Sequence, residues 1–242
     1  ETTGEIGVTG EADVYTISLS DRSFLYFDSL TNDFDLKWTL TGPAGEEPEL
    51  RFNRLDNDII EAVAGDYQLI ISGEGDYTGS YAFRLQTIAQ AVSFTPGTPV
   101  SGELNPKDEA DLYRFEVTAG DQFTFNAQSG DLGDWRLIGP LGITVFDAPF
   151  SGTQTRTLQQ TGAYTLILTS RSFAGASEAY TFNVEFVDNQ SPVPPTGEMV
   201  TFNTVTGGDI SAIGEEDTYL FTLTERRLLY VDALTDTFSF VW

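Results

Sequence analysis

The sequence predicts an all-β protein made of tandem β-sandwich modules with jelly-roll or Greek-key connections. Apolar and polar residues alternate with period two, turn-forming residues recur at regular intervals, and the chain repeats itself at domain length. Residues 208–242 realign on residues 4–38 without a gap. Asp217 falls on Asp13 (217 − 13 = 204), Tyr219 on Tyr15, Asp232 on Asp28 and Trp242 on Trp38. A diverged copy lies between them, marked by Gly102-Glu103-Leu104, Asp111-Leu112-Tyr113 and Trp135. Such repetition describes an array, and arrays serve as stalks, fibres or multivalent binders more often than as catalysts.

Taken in chain order, the alternation is clean in Leu36, Trp38 and Leu40, in Tyr81, Phe83 and Leu85, and in Tyr180, Phe182, Val184 and Phe186. Each reads as a half-buried antiparallel strand. Turns are expected at Thr-Gly-Pro-Ala-Gly (41–45), Ala-Gly-Asp (64–66), Gly-Pro-Leu-Gly (139–142) and Thr-Gly (161–162). No stretch has helical periodicity. Module A is placed at 1–91 and module B at 92–187. A proline-rich linker follows at 188–198, and a partial third module resembling A occupies 199–242. Val92-Ser93-Phe94 and Val200-Thr201-Phe202 open the second and third modules, whereas module A lacks that opening strand. A fragment of about 44 residues from an all-β module buries too little surface to fold alone. The sequence is therefore expected to be a window cut from a longer polymer, or to have its ends completed by neighbouring molecules. Its first residue is Glu1, consistent with a mature product or an excised piece.

The formal charge of −25, from 37 acidic and 12 basic residues, argues against nucleic acid and anionic membrane as partners. No apolar run approaches the ~20 residues of a membrane span, so membrane insertion is not expected. The absence of Cys and His removes disulfides, thiol nucleophiles, imidazole bases and the commonest zinc ligands. Three readings of the acidity remain: solubility, adaptation to salt, and carboxylates bridged by calcium.

Within 102–184 the segments Gly-Glu-Leu, Asp-Glu-Ala-Asp-Leu-Tyr-Arg-Phe-Glu-Val, Ala-Gly-Asp-Gln-Phe, Trp-Arg-Leu-Ile-Gly-Pro-Leu-Gly, Thr-Gly-Ala-Tyr-Thr-Leu-Ile-Leu and Ala-Tyr-Thr-Phe-Asn-Val follow one another. In that order they resemble the bacterial pre-peptidase C-terminal (PPC) domain family. Module A shows the same order in Gly4-Glu5-Ile6, Asp13-Val14-Tyr15, Gly42-Pro43 and Ala64-Gly65-Asp66-Tyr67, and departs from it at Ser20-Asp21-Arg22. The resemblance implies a non-catalytic jelly-roll sandwich of an exported bacterial protein. In that family such domains trail secreted peptidases or recur in large surface proteins; some members bind collagen-like substrates and some hold calcium.

Trp38, Trp135 and Trp242 could be sugar-stacking platforms, but their repeated position on alternating strands favours the core, as for Tyr15, Tyr113 and Tyr219. Tyr67 and Tyr164, each two residues after a turn glycine, resemble corner tyrosines that cap a backbone group. Tyr77, Phe150 and Phe173, outside the repeated pattern in Gly/Ser-rich loops, are the better binding candidates among the aromatics, with scattered surface exposure the favoured reading. Asp13, Asp111 and Asp217 precede one strand in all three copies, where turn capping is favoured over metal binding. Metal candidates are the acidic clusters Asp28, Asn32, Asp33 and Asp35, and Asp56, Asn57 and Asp58, with calcium the one cofactor considered. Neither cluster is a strict part of the repeat, since Asp33 maps to Thr237 and Asp35 to Ser239. No nucleophile has a base beside it and no carboxylate pair is marked out, so no catalytic residue is assigned.

The expected function is that of a structural repeat segment of an extracellular bacterial fibre, sheath or adhesin stalk. The alternative is a pair of accessory domains binding protein or polysaccharide for a secreted hydrolase. Expected partners are neighbouring modules or copies of the same polymer, with an extracellular polymer as the ligand in the alternative.

Overall fold

The computed structural model describes residues 1–53, 59–106, 109–130, 132–170, 177–190, 196–212, 215–223 and 227–234. The chain divides into a unit of Glu1–Pro192 and a second of Val193–Trp242. The architecture is all-β: among the described residues the only helix is the 3-10 turn Ile88–Gln90, and none is long and apolar enough to cross a membrane.

In the first unit, the first sandwich comprises β1 (Thr2–Ile6), β2 (Ala12–Leu19), β3 (Ser23–Ser29), β4 (Leu36–Gly42), β5 (Gly45–Glu46), β6 (Leu50–Arg51), β7 (Ile60–Ala62), β8 (Gly65–Gly73) and β9 (Gly79–Thr87). One sheet has the order β1-β9-β3-β7 and the other β2-β8-β4-β5, with β6 also on β4. The second sandwich comprises β10 (Val92–Ser93), β11 (Val100–Leu104), β12 (Asp111–Val117), β13 (Asp121–Ser129), β14 (Asp134–Ile138), β15 (Thr144–Pro149), β16 (Thr153–Thr157), β17 (Gly162–Thr169) and β18 (Glu178–Asn189). Its sheets read β11-β18-β13-β16 and β10-β12-β17-β14-β15, which repeats the first plan with the opening strand β10 added parallel to β12. In both, the last long strand is inserted between two earlier ones: β9 between β1 and β3, β18 between β11 and β13.

Alternation places the cores. Leu36, Trp38 and Leu40 point into the first sandwich, where Trp38 stacks on Phe27 at 4.2 Å between ring centroids. Trp135 occupies the corresponding place in the second, with its ring centroid 5.1 Å from that of Phe150. Phe150, expected at the surface from its Gly/Ser-rich surroundings, is thus only 6% exposed. Local composition could not show that the loop after β15 folds back over a tryptophan. Phe186 departs in the other direction: it is 54% exposed, although it pairs with Phe123 and its ring contacts that of Phe123, and a register shift follows it in the ladder. Trp242 and Phe173 lie outside the described residues.

The corner expectation is met. Tyr67 donates its hydroxyl to the Val63 carbonyl at 3.0 Å and Tyr164 to that of Gln160 at 3.2 Å. Gly65 and Gly162, two residues before them, have φ of 143° and 141°, and a Cβ on either would strike Pro43 or Pro140. Both reasons exclude other residues there. Strand pairing also runs past residue 187: Asp121 faces Asn189, and Gln190 N–H donates to the Gly120 carbonyl at 2.7 Å. The first residues of the expected linker therefore belong to the ladder, because Asn189 also donates to the Asp121 carboxylate at 2.7 Å.

The second unit has β19 (Glu198–Met199) parallel to β20 (Tyr219–Leu220), as β10 lies parallel to β12. Phe202 contacts Phe221, as Phe94 contacts Phe115.

Because Trp135 is enclosed by Phe125, Phe146 and Phe150, Trp135→Ala is expected to destabilise the first unit by about 3–5 kcal/mol. Urea unfolding followed by circular dichroism measures this.

Candidate functional site

The most unusual chemistry lies where the two sandwiches of the first unit meet. Strand β3 reads Phe24-Leu25-Tyr26-Phe27-Asp28, apolar on both faces before an acid, the pattern of a strand covered on both sides. Leu25 and Phe27 enter the first core. Tyr26, on the opposite face, joins Ile88, Ala110, Leu112, Ile138 and Ile167 in a separate apolar cluster with Phe24 at its margin. Leu112, Ile138 and Ile167 come from β12, β14 and β17, so one sheet of the second sandwich packs on the β1-β9-β3-β7 sheet of the first.

Asp28 sits beside this cluster and is 2% exposed. Its Oδ2 accepts from Arg84 Nε at 2.8 Å and Nη2 at 2.6 Å, and its Oδ1 accepts the backbone N–H of Ala110 at 2.8 Å. Gln86 Nε2 adds a longer contact at 3.4 Å. Arg84 also reaches Glu109 Oε2 and the Ala110 carbonyl, each at 3.2 Å. The first sandwich thus inserts a carboxylate into a backbone donor of the second and holds it with its own guanidinium. Burial pushes the Asp28 carboxyl up from 3.8 to about 7; Arg84 and the Ala110 N–H oppose that rise, and Glu109 adds to it. The buried acid is enclosed by protein donors rather than facing an open cleft.

A second constellation recurs. Tyr81 donates its hydroxyl to Asp13 Oδ2 and accepts from Tyr15 at 2.8 Å; Tyr180 donates to Asp111 Oδ2 and accepts from Tyr113 at 2.7 Å. Burial first, then these hydrogen bonds, push the Tyr81 and Tyr180 hydroxyls well above their ordinary range, so both remain donors. Asp13 and Asp111 therefore tie the last strand of each sandwich to β2 and β12 respectively, where turn capping was expected. The reason is cross-sheet: their partners lie 68 and 69 residues further along the chain. Asp217 lies 3.4 Å from the Tyr219 hydroxyl.

The metal candidates separate. Asp28 is committed to Arg84 and Ala110. Asp33 accepts the Asp35 N–H at 2.9 Å and the Tyr77 hydroxyl, while Asn32 and Asp35 are exposed. Asp56 and Asp58, with Asn57, lie outside the described residues. Among the described residues no group of three or more acidic side chains is arranged to hold a metal. The joint residues Tyr26, Arg84, Glu109 and Ala110 escaped sequence reasoning. The available signal was the break in alternation at 24–28 and again at Leu166-Ile167-Leu168.

No protein-family model matches the chain, and no curated protein matches it. Among solved structures it is similar to the periplasmic g-type lysozyme inhibitor PliG of Aeromonas hydrophila, at 12% identity over 39% of this chain and 96% of that one, with a TM-score of 0.33. It is also similar to the CUB1-EGF-CUB2 segment of human MASP-1/3, at 11% identity over 77% of this chain and 100% of that one, with a TM-score of 0.25. At these scores neither likeness bears on function.

Removing the Tyr180 hydroxyl with Tyr180→Phe is expected to cost about 1.5–3 kcal/mol, the range for hydrogen bonds to charged groups, measured by denaturant unfolding. The folded state keeps its proton on Asp28 to higher pH than the unfolded chain does. That contribution is complete below about 3.8 and is lost as pH rises through about 7. Stability of the first unit should therefore fall between about pH 4 and pH 7 and level off above that, and Asp28→Asn should flatten the fall; melting temperatures across the range give the comparison.

Proposed function

We propose that the chain is a non-catalytic structural repeat segment of an extracellular bacterial fibre, sheath or adhesin stalk, working through its β-sandwich modules and their contacts with one another. The observation that carries this reading is the joint. Two sandwiches of one plan share an apolar cluster and a buried carboxylate bridge, so their faces act as connectors. The 204-residue repeat supports it, since an A-type copy follows the A–B pair. The lack of Cys and His, and a perturbed acid closed in by its partners, favour architecture over catalysis. Carboxylate-bound calcium is compatible with the reading but is assigned to no residue.

The accessory-binding alternative draws on a different surface. The outer face of β11-β18-β13-β16 carries hydroxyls and amides in rows beside the exposed Glu103 and Glu185: Ser101 with Thr181 at 2.9 Å, Thr124 with Thr155 at 3.1 Å and Gln122 with Thr157 at 3.2 Å. These rows suit a hydrogen-bonding polymer. Saturable binding in glycan or collagen panels would support it.

Electron microscopy of the native material tests the leading reading: lateral or longitudinal assembly is expected, and monodisperse beads would overturn it.

A further inference from the structure

Of the ten tyrosines in the chain, four form two pairs of one geometry. Tyr15 donates its hydroxyl to that of Tyr81 at 2.8 Å, and Tyr81 donates to Asp13 Oδ2. Tyr113, Tyr180 and Asp111 repeat the arrangement with their two hydroxyls 2.7 Å apart. Gly4 and Gly102 close the third side, where a Cβ would strike both hydroxyls. Each line of donors runs from one phenol through a second to a carboxylate. It joins β2 to β9 in the first sandwich and β12 to β18 in the second, strands of opposite sheets.

Tyr67, Tyr77 and Tyr164 each lack one part of this arrangement. Tyr67 and Tyr164 donate to backbone carbonyls, and Tyr77 meets Asp33 with no second phenol beside it among the described residues. The combination of two phenols and a carboxylate has a chemical consequence. A phenol that loses an electron becomes a strong acid, so a carboxylate already accepting its hydrogen bond takes the proton and leaves a neutral radical. Burial and these hydrogen bonds keep the Tyr81 and Tyr180 hydroxyls protonated far above the ordinary range. Oxidation through a free phenolate is thereby closed, and the carboxylate route remains.

We propose that Tyr15 with Tyr81, and Tyr113 with Tyr180, are sites of oxidative coupling, at which a dityrosine bond staples together the two sheets of each sandwich. The co-reactant is a one-electron oxidant of the peroxidase class, which reduces hydrogen peroxide to two waters with two electrons and two protons. One electron leaves Tyr81 as its proton moves to Asp13 Oδ2 and on to solvent. A second electron leaves Tyr15, whose proton also goes to solvent. The ring carbons ortho to the two oxygens then join, and the hydrogens they carried return to the oxygens, so the pair loses two hydrogens and both phenols are restored. The rings of Tyr113 and Tyr180 stand at 80° with centroids 6.5 Å apart, so they turn towards each other as the bond forms. Tyr15 is half-buried whereas Tyr113 is 9% exposed, which makes the first pair the faster. The partners lie 66 and 67 residues apart, and a link of that span restricts the unfolded chain as a disulfide would, in a sequence without Cys. The site goes beyond the fibre reading and does not depend on it.

The test treats the full 242-residue chain, at low concentration, with a haem peroxidase and hydrogen peroxide, and maps cross-linked peptides by mass spectrometry. Expected are intramolecular peptides joining Tyr15 to Tyr81 and, more slowly, Tyr113 to Tyr180, each lighter by two hydrogens than its parts, with an upward shift of the urea midpoint. Tyr15→Phe should abolish the first link and leave the second. Asp13→Asn, with its fold checked by circular dichroism, should slow the first link about a hundredfold, the low end of what a positioned base contributes. A carboxylate with a merely structural role would not move that rate. Links spread equally over Tyr67, Tyr77 and Tyr164, links only between chains, or no loss of hydrogens at either pair would each overturn the proposal. The readout lies within a single chain, so its failure leaves the fibre reading standing, and absence of filaments leaves this site standing.

Discussion

Each sandwich is closed by the strand made last. Strand β9 supplies ladder partners to both β1 and β3, and β18 does so for β11 and β13. Without that strand the first sheet has a gap at its centre, the core lacks Phe83 or Phe182, and the carboxylate of Asp13 or Asp111 loses its donor. Thr2 faces Phe83 and Val100 faces Phe182, so the contacts that complete a module span nearly its whole length. Such non-local pairing makes formation cooperative and slow, because loop closure precedes the gain from the contacts it permits. The hydroxyl triads mark the correct register, since a slip of one residue would turn each tyrosine to the opposite face.

The same plan produces two different outer faces. Phe27 faces Leu85 and Phe125 faces Val184, which equates Asp28 with Asn126, Tyr26 with Thr124 and Arg84 with Asn183. In the first sandwich these positions hold an aromatic ring and an ion pair buried against a neighbour. In the second they hold a hydroxyl and two amides, of which that of Asn183 is buried. Conversion from one to the other needs only outward-facing residues to change, since inward positions stay apolar in both. The third copy returns to the first pattern with Tyr230 and Asp232. Burying Asp28 carries a desolvation penalty that its donors offset only in part, so the bridge adds less net stability than its number of hydrogen bonds suggests.

The β-sandwich class, the corner tyrosines and the tryptophan cores were legible because each depends on local periodicity or on a turn of fixed chemistry. What stayed hidden depends on distance. Asp13 and Asp111 looked like turn caps because their tyrosine partners belong to strands 68 and 69 residues away. Phe150 looked exposed because its neighbours are Pro149 and Ser151, while the ring it covers is that of Trp135. Asp28 looked like part of an acidic cluster with Asp33 and Asp35, but the pleat turns it towards Arg84 and the second sandwich. Sequence proximity groups charges that a sheet then assigns to separate surroundings.

The antiparallel pairing of β1 with β9 carries a mechanical consequence. Thr2, near the start of the module, lies opposite Phe83, near its end, so the chain enters and leaves the first sandwich on one side. Tension applied between those two points peels the ladder open one hydrogen-bonded pair at a time instead of shearing all pairs together. Resistance to stretch in such a unit must come from lateral packing of its broad faces, with Asp28 and Tyr26 acting as the rivet and the strands lying as plates.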